Sequence, residues 1–427
     1  MQTVALHNNQ KVRWRFLFGH FFTILLACIS VAQWAVPLWF LTTITVVRPP
    51  HVWLIHALMP CCFLLLNLTL LHFLRRSPHP FLLFRRLVRL YFAYGFITIF
   101  CLIFLLLCAG IWLVVWLTCQ TLGMAVTDFH ATIEQFQAVL ANSLYWGSTL
   151  GVATITGAFV YGYTYGQQQV SITRLTLPLP NWPAAWHELR ILHLSDLHIG
   201  PNLGTAELRN YLARANALAP DLVFLTGDLL DANPAYIPEF FPLLSQLTAR
   251  YGVFACLGNH DVYAGAQAVA EGLARYTHIT LLRDQVVHLT IHGFPLHIVG
   301  LDDRGKDWAR GLDALPLLPL LVSSIPADDP SILLSHRPDL FLQAATAGIT
   351  LTLSGHTQGG QIALPGWHGR FNLARFITRF PRGLYTYRRS FLYVNRGLGV
   401  TGQRVRLFTP REITLLECIS QPHMSPP

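Results

Sequence analysis

A chain of 427 residues has room for two or three domains, but 53% hydrophobic and 12% charged residues are too apolar for an ordinary soluble protein, so part of it is expected in lipid. The formal charge of +9 is uneven: 9 Lys and Arg against 2 Asp and Glu precede Gly166, leaving 21 against 19 afterwards. A basic excess confined to the apolar end fits the positive-inside rule and anionic headgroups, and no nucleic-acid partner is expected, because a nucleic-acid groove needs clustered charge on a soluble face.

Four apolar stretches, Leu17–Val47, Val52–Leu74, Leu90–Cys119 and Leu144–Tyr165, can each supply the ~20 residues that cross a bilayer. They predict a bundle of four transmembrane helices within a membrane domain of residues 1–166. Lys11, Arg13 and Arg15 precede the first, and Arg75, Arg76, Arg85, Arg86 and Arg89 lie between the second and third. The first loop has only Arg48 and the segment 120–143 has neither Lys nor Arg, so both termini are expected in the cytoplasm, in the inner membrane if the source is a bacterium. Val126, Phe129, Ile133, Phe136 and Leu140 recur at helical spacing and predict an amphipathic helix on the outer surface. The spans keep ionisable residues only near their ends (His56, His72), which argues against transport. Six of the 8 cysteines fall in or beside these segments and none forms a CxxC pair, so they read as small apolar packing residues.

The prolines of "LTLPLPNWPAAW" predict a linker over 167–188, followed by a soluble domain over 189–420 and a tail over 421–427. Short apolar runs at Arg190–Leu194, Asp221–Leu225, Val253–Leu257, Ser331–Leu334 and Ile349–Leu353 predict buried strands. Helical spacing covers Ala206–Ala217 and Ile237–Ala249, and a hairpin is expected to turn at "HGFP" between Val286–Ile291 and Leu296–Val299. The implied class is α/β with a mixed sheet.

Five strand candidates end in polar residues of the kind that bind metals. "RILHLSDLH" delivers Asp196 and His198, "PDLVFLTGD" Asp228, "GVFACLGNHD" Asn259, His260 and Asp261, "SILLSHRPD" His336, and "ITLTLSGHTQ" His356 and Gln358. Any one of these is ordinary turn chemistry. Together they are a converging set, because the carboxyl ends of strands in open α/β sheets face one crevice. Carboxylate oxygens mixed with imidazole suit Mn, Fe or Zn, and a carboxylate shared by two ions would place an activated water for in-line attack on phosphorus.

These ordered motifs resemble those of the calcineurin-like metallophosphoesterases, and "SDLHIG", "GDLLD", "GNHDVYAG", "VGLDD", "LSHRPD", "SGHTQGGQI" and "LYVNRGLG" look like its YkuE-like branch. The resemblance covers the soluble domain and implies a layered α/β/β/α sandwich with mixed sheets and two divalent metal ions. It implies that Asp196 and His198 hold the first ion, that Asp228 bridges, that Asn259, His336 and His356 hold the second, and that His260 acts as general acid or as donor to the developing charge. The branch includes membrane-attached members, and some relatives hydrolyse the pyrophosphate of UDP-diacylglucosamine. The substrate expected here is accordingly a phosphodiester or pyrophosphate, lipid-linked or a nucleotide-lipid.

Asp261 has two readings, orienting His260 or capping a helix. Gln358 departs from the family, whose pattern usually has a His there. It could ligate through its side-chain oxygen or a water, the site could hold one metal, or catalysis could be lost, leaving a silent metal-binding membrane scaffold or sensor. Arg337, Asp302 and Asp303 are candidates for a substrate pocket, with a solvated loop as the alternative. His193, His278, His288, His292 and His297 show no ligand spacing and read as strand or surface residues. Trp367–Arg389 interleaves Arg370, Arg375, Arg379 and Arg382 with Phe371, Phe376 and Phe380 and has no acid, a composition suited to lipid headgroups, with plain aromatic packing as the alternative.

Overall fold

The computed structural model describes residues 24–39, 52–76, 82–125, 130–187, 189–305, 316–366 and 371–420. The chain folds into two compact units, Met1–Val160 and Tyr161–Pro427.

The first unit is helical: α1 (Ile24–Trp39), α2 (Val52–Arg76), α3 (Leu82–Ala125) and α4 (His130–Thr164), the last of which ends in the second unit. Among the described residues one segment, Arg86–Thr121, is long and apolar enough to cross a membrane, and Ile24–Trp39 and Leu58–His72 are shorter apolar helices. Parts of the first expected span, with Val126 and Phe129 of the amphipathic segment, lie outside the described residues. Ile133, Phe136 and Leu140 belong to α4, continuous with the fourth expected span, because no Gly or Pro interrupts 130–146.

The second unit contains two six-stranded sheets. The first has the order β1 (Val170–Leu179), β12 (Arg411–Ser420), β2 (Leu189–Leu194), β3 (Leu222–Thr226), β4 (Val253–Cys256), β5 (Thr280–Leu281). The second has the order β10 (Gly383–Tyr387), β11 (Ser390–Val394), β9 (Leu351–Ser354), β8 (Ser331–Ser335), β7 (Phe294–Leu301), β6 (Gln285–Ile291). Strands β2 to β5 run parallel, as do β7, β8, β9 and β11, while β12 opposes β2 and the edge strands β6 and β10 are antiparallel.

Alternation along each central strand builds the layers. Ile191, Leu222 and Phe224 of the first sheet meet Ile332, Leu334, Leu351 and Leu353 of the second in one core. On the outer face of the first sheet, Leu192, Leu194, Val223 and Leu225 pack on Leu208 and Leu212 of α5 (Thr205–Asn216), Phe240 and Phe241 of α6 (Ile237–Leu244) and Leu273 of α7 (Asn259–Tyr276). Val299 and Leu333 meet Leu318 and Ala344 on the outer face of the second. Strands buried on both faces read as unbroken apolar runs, which is why β2, β3, β4, β8 and β9 were visible in the sequence.

The expected linker is corrected. Residues 170–179 form β1, paired with β12 over ten residues, and Leu177 and Leu179 enter the core between the sheets. Pro178 does not break it because β1 is an edge strand, where a missing N–H costs no ladder bond.

Candidate metal centre

Asp196, His198, Asp228, His356 and Gln358 all have positive φ, between 45° and 68°. This region costs a non-glycine residue roughly 1 to 3 kcal/mol, and such strain concentrates at functional sites. Glycines make the close approach possible. A Cβ on Gly355 would collide with the Ser195 hydroxyl and with Asp196, and one on Gly258 would collide with Asp228.

Asp196, His198, Asp228, Asn259 and His336 are buried. Asp196 accepts from the His356 N–H at 3.1 and 3.0 Å and from the Ser195 hydroxyl at 2.5 Å. Asp228 lies between two imidazoles, with its Oδ2 3.6 Å from His198 Nε2 and 3.2 Å from His336 Nε2, while Oδ1 accepts from the His260 N–H at 2.8 Å. Two groups of potential donors, Asp196 with His198 and Asp228, and Asp228 with His336 and His356, each keep their ligating atoms within 4.8 Å of one another and share Asp228.

His336 Nδ1 donates to the Thr226 carbonyl at 2.7 Å, which turns Nε2 towards the Asp228 carboxylate. An Nε2 that faces a carboxylate calls for positive charge between them, a proton or a metal ion, and an outer N–H held by a carbonyl is the usual setting of a metal-ligating histidine. The side-chain oxygens of Asn259 and Gln358 are buried without a hydrogen-bond partner. The electrostatics agree. Burial opposes the charged imidazole of His198, yet the carboxylates of Asp196, Asp231 and Asp228 push it up to about 10. Likewise His336 rises, against burial, to about 9, chiefly through Asp228. Asp196 and Asp228 are held below the ordinary carboxylate range by the surrounding imidazoles although burial opposes it. Burial and the neighbouring His336 and Arg337 lower His356 to about 3, which keeps its ring neutral. Among the described residues, the ion pairs of Asp196 and Asp228 are all with imidazoles. The donor set fits divalent cations.

Gln358 lies beside His198, with Nε2 2.6 Å from His198 Nε2. A half-turn of the amide exchanges its nitrogen and oxygen and sets an acceptor beside His198. His260 is 22% exposed at its side chain; its Nδ1 donates to the Asp231 carbonyl, and its ring stands 4.7 Å from that of His198.

Asp261 does not orient His260. Its two oxygens accept from the Leu230 and Gly258 N–H groups, both at 2.9 Å, so it caps α7 and ties it to the loop after β3. Burial and the neighbouring Asp228 push its carboxyl up to about 7. The carboxylate that faces His260 belongs to Asp231, whose Oδ1 is 3.5 Å from His260 Nδ1 and 3.4 Å from His198 Nδ1. The sequence signal for it was the second Asp of "GDLLD", three residues after Asp228. Arg337 is 2% exposed, so the solvated-loop reading fails for it; it grips Asp303 at 2.5 and 3.2 Å, with Nη1 buried and unpartnered. Asp302 instead pairs with the half-exposed Arg283 at 2.7 Å.

A family model described as calcineurin-like phosphoesterase matches residues 189–359. The chain is similar to the uncharacterised metallophosphoesterase YkuE of Bacillus subtilis, 30% identical over 271 residues that cover 62% of this chain and 91% of that protein. It resembles a transmembrane protein with metallophosphoesterase domain of Bos taurus, 29% identical over 281 residues, 62% of this chain and 61% of the bovine protein. It also resembles the UDP-2,3-diacylglucosamine pyrophosphatase LpxG of Chlamydia muridarum, 28% identical over 333 residues, 65% of this chain and 98% of the other. The chain spans only 59 to 61% of the length of some curated relatives.

Proposed function

The chain belongs to the calcineurin-like phosphoesterase family, and on that premise we propose that it is a membrane-anchored, metal-dependent hydrolase of a phosphodiester or pyrophosphate bond. The observation that carries this reading is Asp228, a buried carboxylate shared by two sets of ligating side chains. In this reading Asp196, His198, Asp228 and Gln358 hold one divalent ion and Asp228, Asn259, His336 and His356 a second, of Mn, Fe or Zn. When bound, such ions lower the pKa of water and neutralise phosphoryl charge. The protein's own part is to keep Asp196 and Asp228 ionised, to aim His336 Nε2 inward through the Thr226 carbonyl, and to present His260. With Nδ1 anchored on Asp231, the imidazolium form of His260 carries on Nε2 the proton it would give to the leaving oxygen. Arg337 Nη1 is a donor available to a second phosphate.

The finer assignment is a lipid-linked or nucleotide-lipid substrate. It is supported by the name of the chlamydial relative and by the apolar helix Arg86–Thr121. Four spans, a cytoplasmic catalytic domain and contact of Phe371, Phe376, Arg375 and Arg379 with headgroups complete the proposal; Phe376 is 88% exposed, whereas Phe380 packs edge to face on Phe341, and Arg370 lies outside the described residues. The second reading, a silent metal-binding scaffold or sensor, draws on Gln358 alone. Hydrolysis of bis-p-nitrophenyl phosphate and of the monoester by detergent-purified protein with added Mn²⁺ separates them. Faster diester turnover is expected, and no turnover of either ester favours the scaffold.

A further inference from the structure

The hydrolase reading leaves unused a set of ligating side chains at the edge of the second sheet. β6 and β7 form a hairpin turned at His292 and Gly293, both with positive φ, and its register sets His288 directly opposite His297. The two imidazoles converge through their Nδ1 atoms, 2.6 Å apart, with ring planes at 81°. His297 is buried at 5% exposure, and its Nε2 lies 2.9 Å from Oδ2 of Asp329 in the loop leading into β8. Asp329 accepts from the Nε2–H, which leaves the Nδ1 lone pair of His297 facing His288. His288 is exposed on an edge strand, so the point where the two nitrogens meet opens to solvent.

We propose that His288 and His297 form an accessory site for an imidazole-preferring divalent ion of the Zn²⁺ class, bound through the two Nδ1 atoms and completed by water. Imidazole is the side-chain donor that Zn²⁺, Cu²⁺ and Ni²⁺ favour. A carboxylate on the outer nitrogen, as Asp329 is on His297, fixes the tautomer and raises ligand basicity. Two nitrogens at 2.0 to 2.1 Å from a tetrahedral ion stand roughly 3.3 Å apart. The observed 2.6 Å reaches that separation by a small rotation of the exposed His288 ring. Without metal, the Nδ1 proton of His288 bridges the rings; binding moves that proton to Nε2, and nothing is oxidised or reduced. The site is separate from the main centre. His297 pairs with Ser331 at the start of β8, whereas His336 follows its end, about 13 Å away at the rise of a strand. A bound ion would clamp the edge strand β6 to β7 at a place that no ligand of the main centre touches.

The test is the zinc content of the full chain in detergent, saturated with Zn²⁺ and dialysed against a micromolar zinc buffer, for wild type, His288→Gln and Asp329→Asn. Wild type should retain one equivalent more than His288→Gln, and Asp329→Asn should bind that equivalent about 10- to 100-fold more weakly. Zinc should raise the melting temperature of wild type more than that of either variant. Both variants should hydrolyse bis-p-nitrophenyl phosphate at the wild-type rate, so the count stands whether or not the hydrolase reading does. Equal zinc content in all three proteins would mean a hydrogen-bonded histidine pair only and would overturn the proposal. Asp329→Asn decides the question by itself if His288→Gln does not fold.

Discussion

The half of the centre around His336 and His356 offers two imidazoles and an amide besides the shared Asp228, whereas the half around Asp196 and His198 ends in Gln358. The geometry of the two halves is equally developed. Gln358 is buried at 2%, held in the left-handed region and placed with its Nε2 2.6 Å from His198 Nε2. What differs is donor strength, since a neutral amide oxygen is a weaker partner than imidazole for transition metals. A site can thus keep its architecture while loosening one of its two ions, and the proposed inequality is one of affinity rather than of presence.

Removing the group common to both halves should have the largest effect. Asp228→Asn is expected to strip most bound metal and to lower bis-p-nitrophenyl phosphate turnover on the order of 10³-fold or more, read by metal analysis and initial rates. Next comes His260→Gln, which leaves both halves intact; metal content should stay at the wild-type level while kcat falls about 10²- to 10⁴-fold. Asp231→Asn acts on one half only, through the outer nitrogen of His198, and should weaken the first ion about 10- to 100-fold with little change in the second. Gln358→His should do the reverse, tightening the first ion by about tenfold in a metal titration. If it changes neither affinity nor stoichiometry, the two halves do not differ in the way claimed.

The smallest effect expected is on the scaffold. Glu412 on β12 accepts from Arg396 at 2.8 Å and from Tyr393 at 2.9 Å. Burial would raise its carboxyl, but Arg396, with the Thr173 hydroxyl, holds it below the ordinary glutamate range. A carboxyl depressed on folding stabilises the protein fully above the unfolded value of about 4.3 and loses that contribution as pH falls through the folded one. The melting temperature of Glu412→Gln should therefore lie below wild type at neutral pH, with the gap closing in acid. A gap independent of pH would contradict the pairing.

Much of this was legible in the sequence where chemistry was local. β2, β3, β4, β8 and β9 are apolar runs ending in ligand types, so both the strands and the convergence of Asp196, Asp228, His336 and His356 could be anticipated. The edges were less legible. β1 was obscured by Pro178, and β12 is recognisable only through its partners β1 and β2. Of the two readings of Asp261 the structure has the helix cap, and Asp231, which carried no expectation, faces His260 because that partner is fixed by the turn after β3, not by the neighbour in the chain. His288 and His297 lie nine residues apart, a spacing without meaning until the hairpin register sets them face to face.

The most direct measurement is turnover of bis-p-nitrophenyl phosphate by metal-stripped full-length protein as Mn²⁺ is added back, with bound metal counted at each step. Two-ion hydrolysis with a weak first half requires one equivalent to bind tightly with little turnover, and turnover to appear only as the second, weaker equivalent binds. Full turnover at one bound equivalent, or none with both bound, would contradict it.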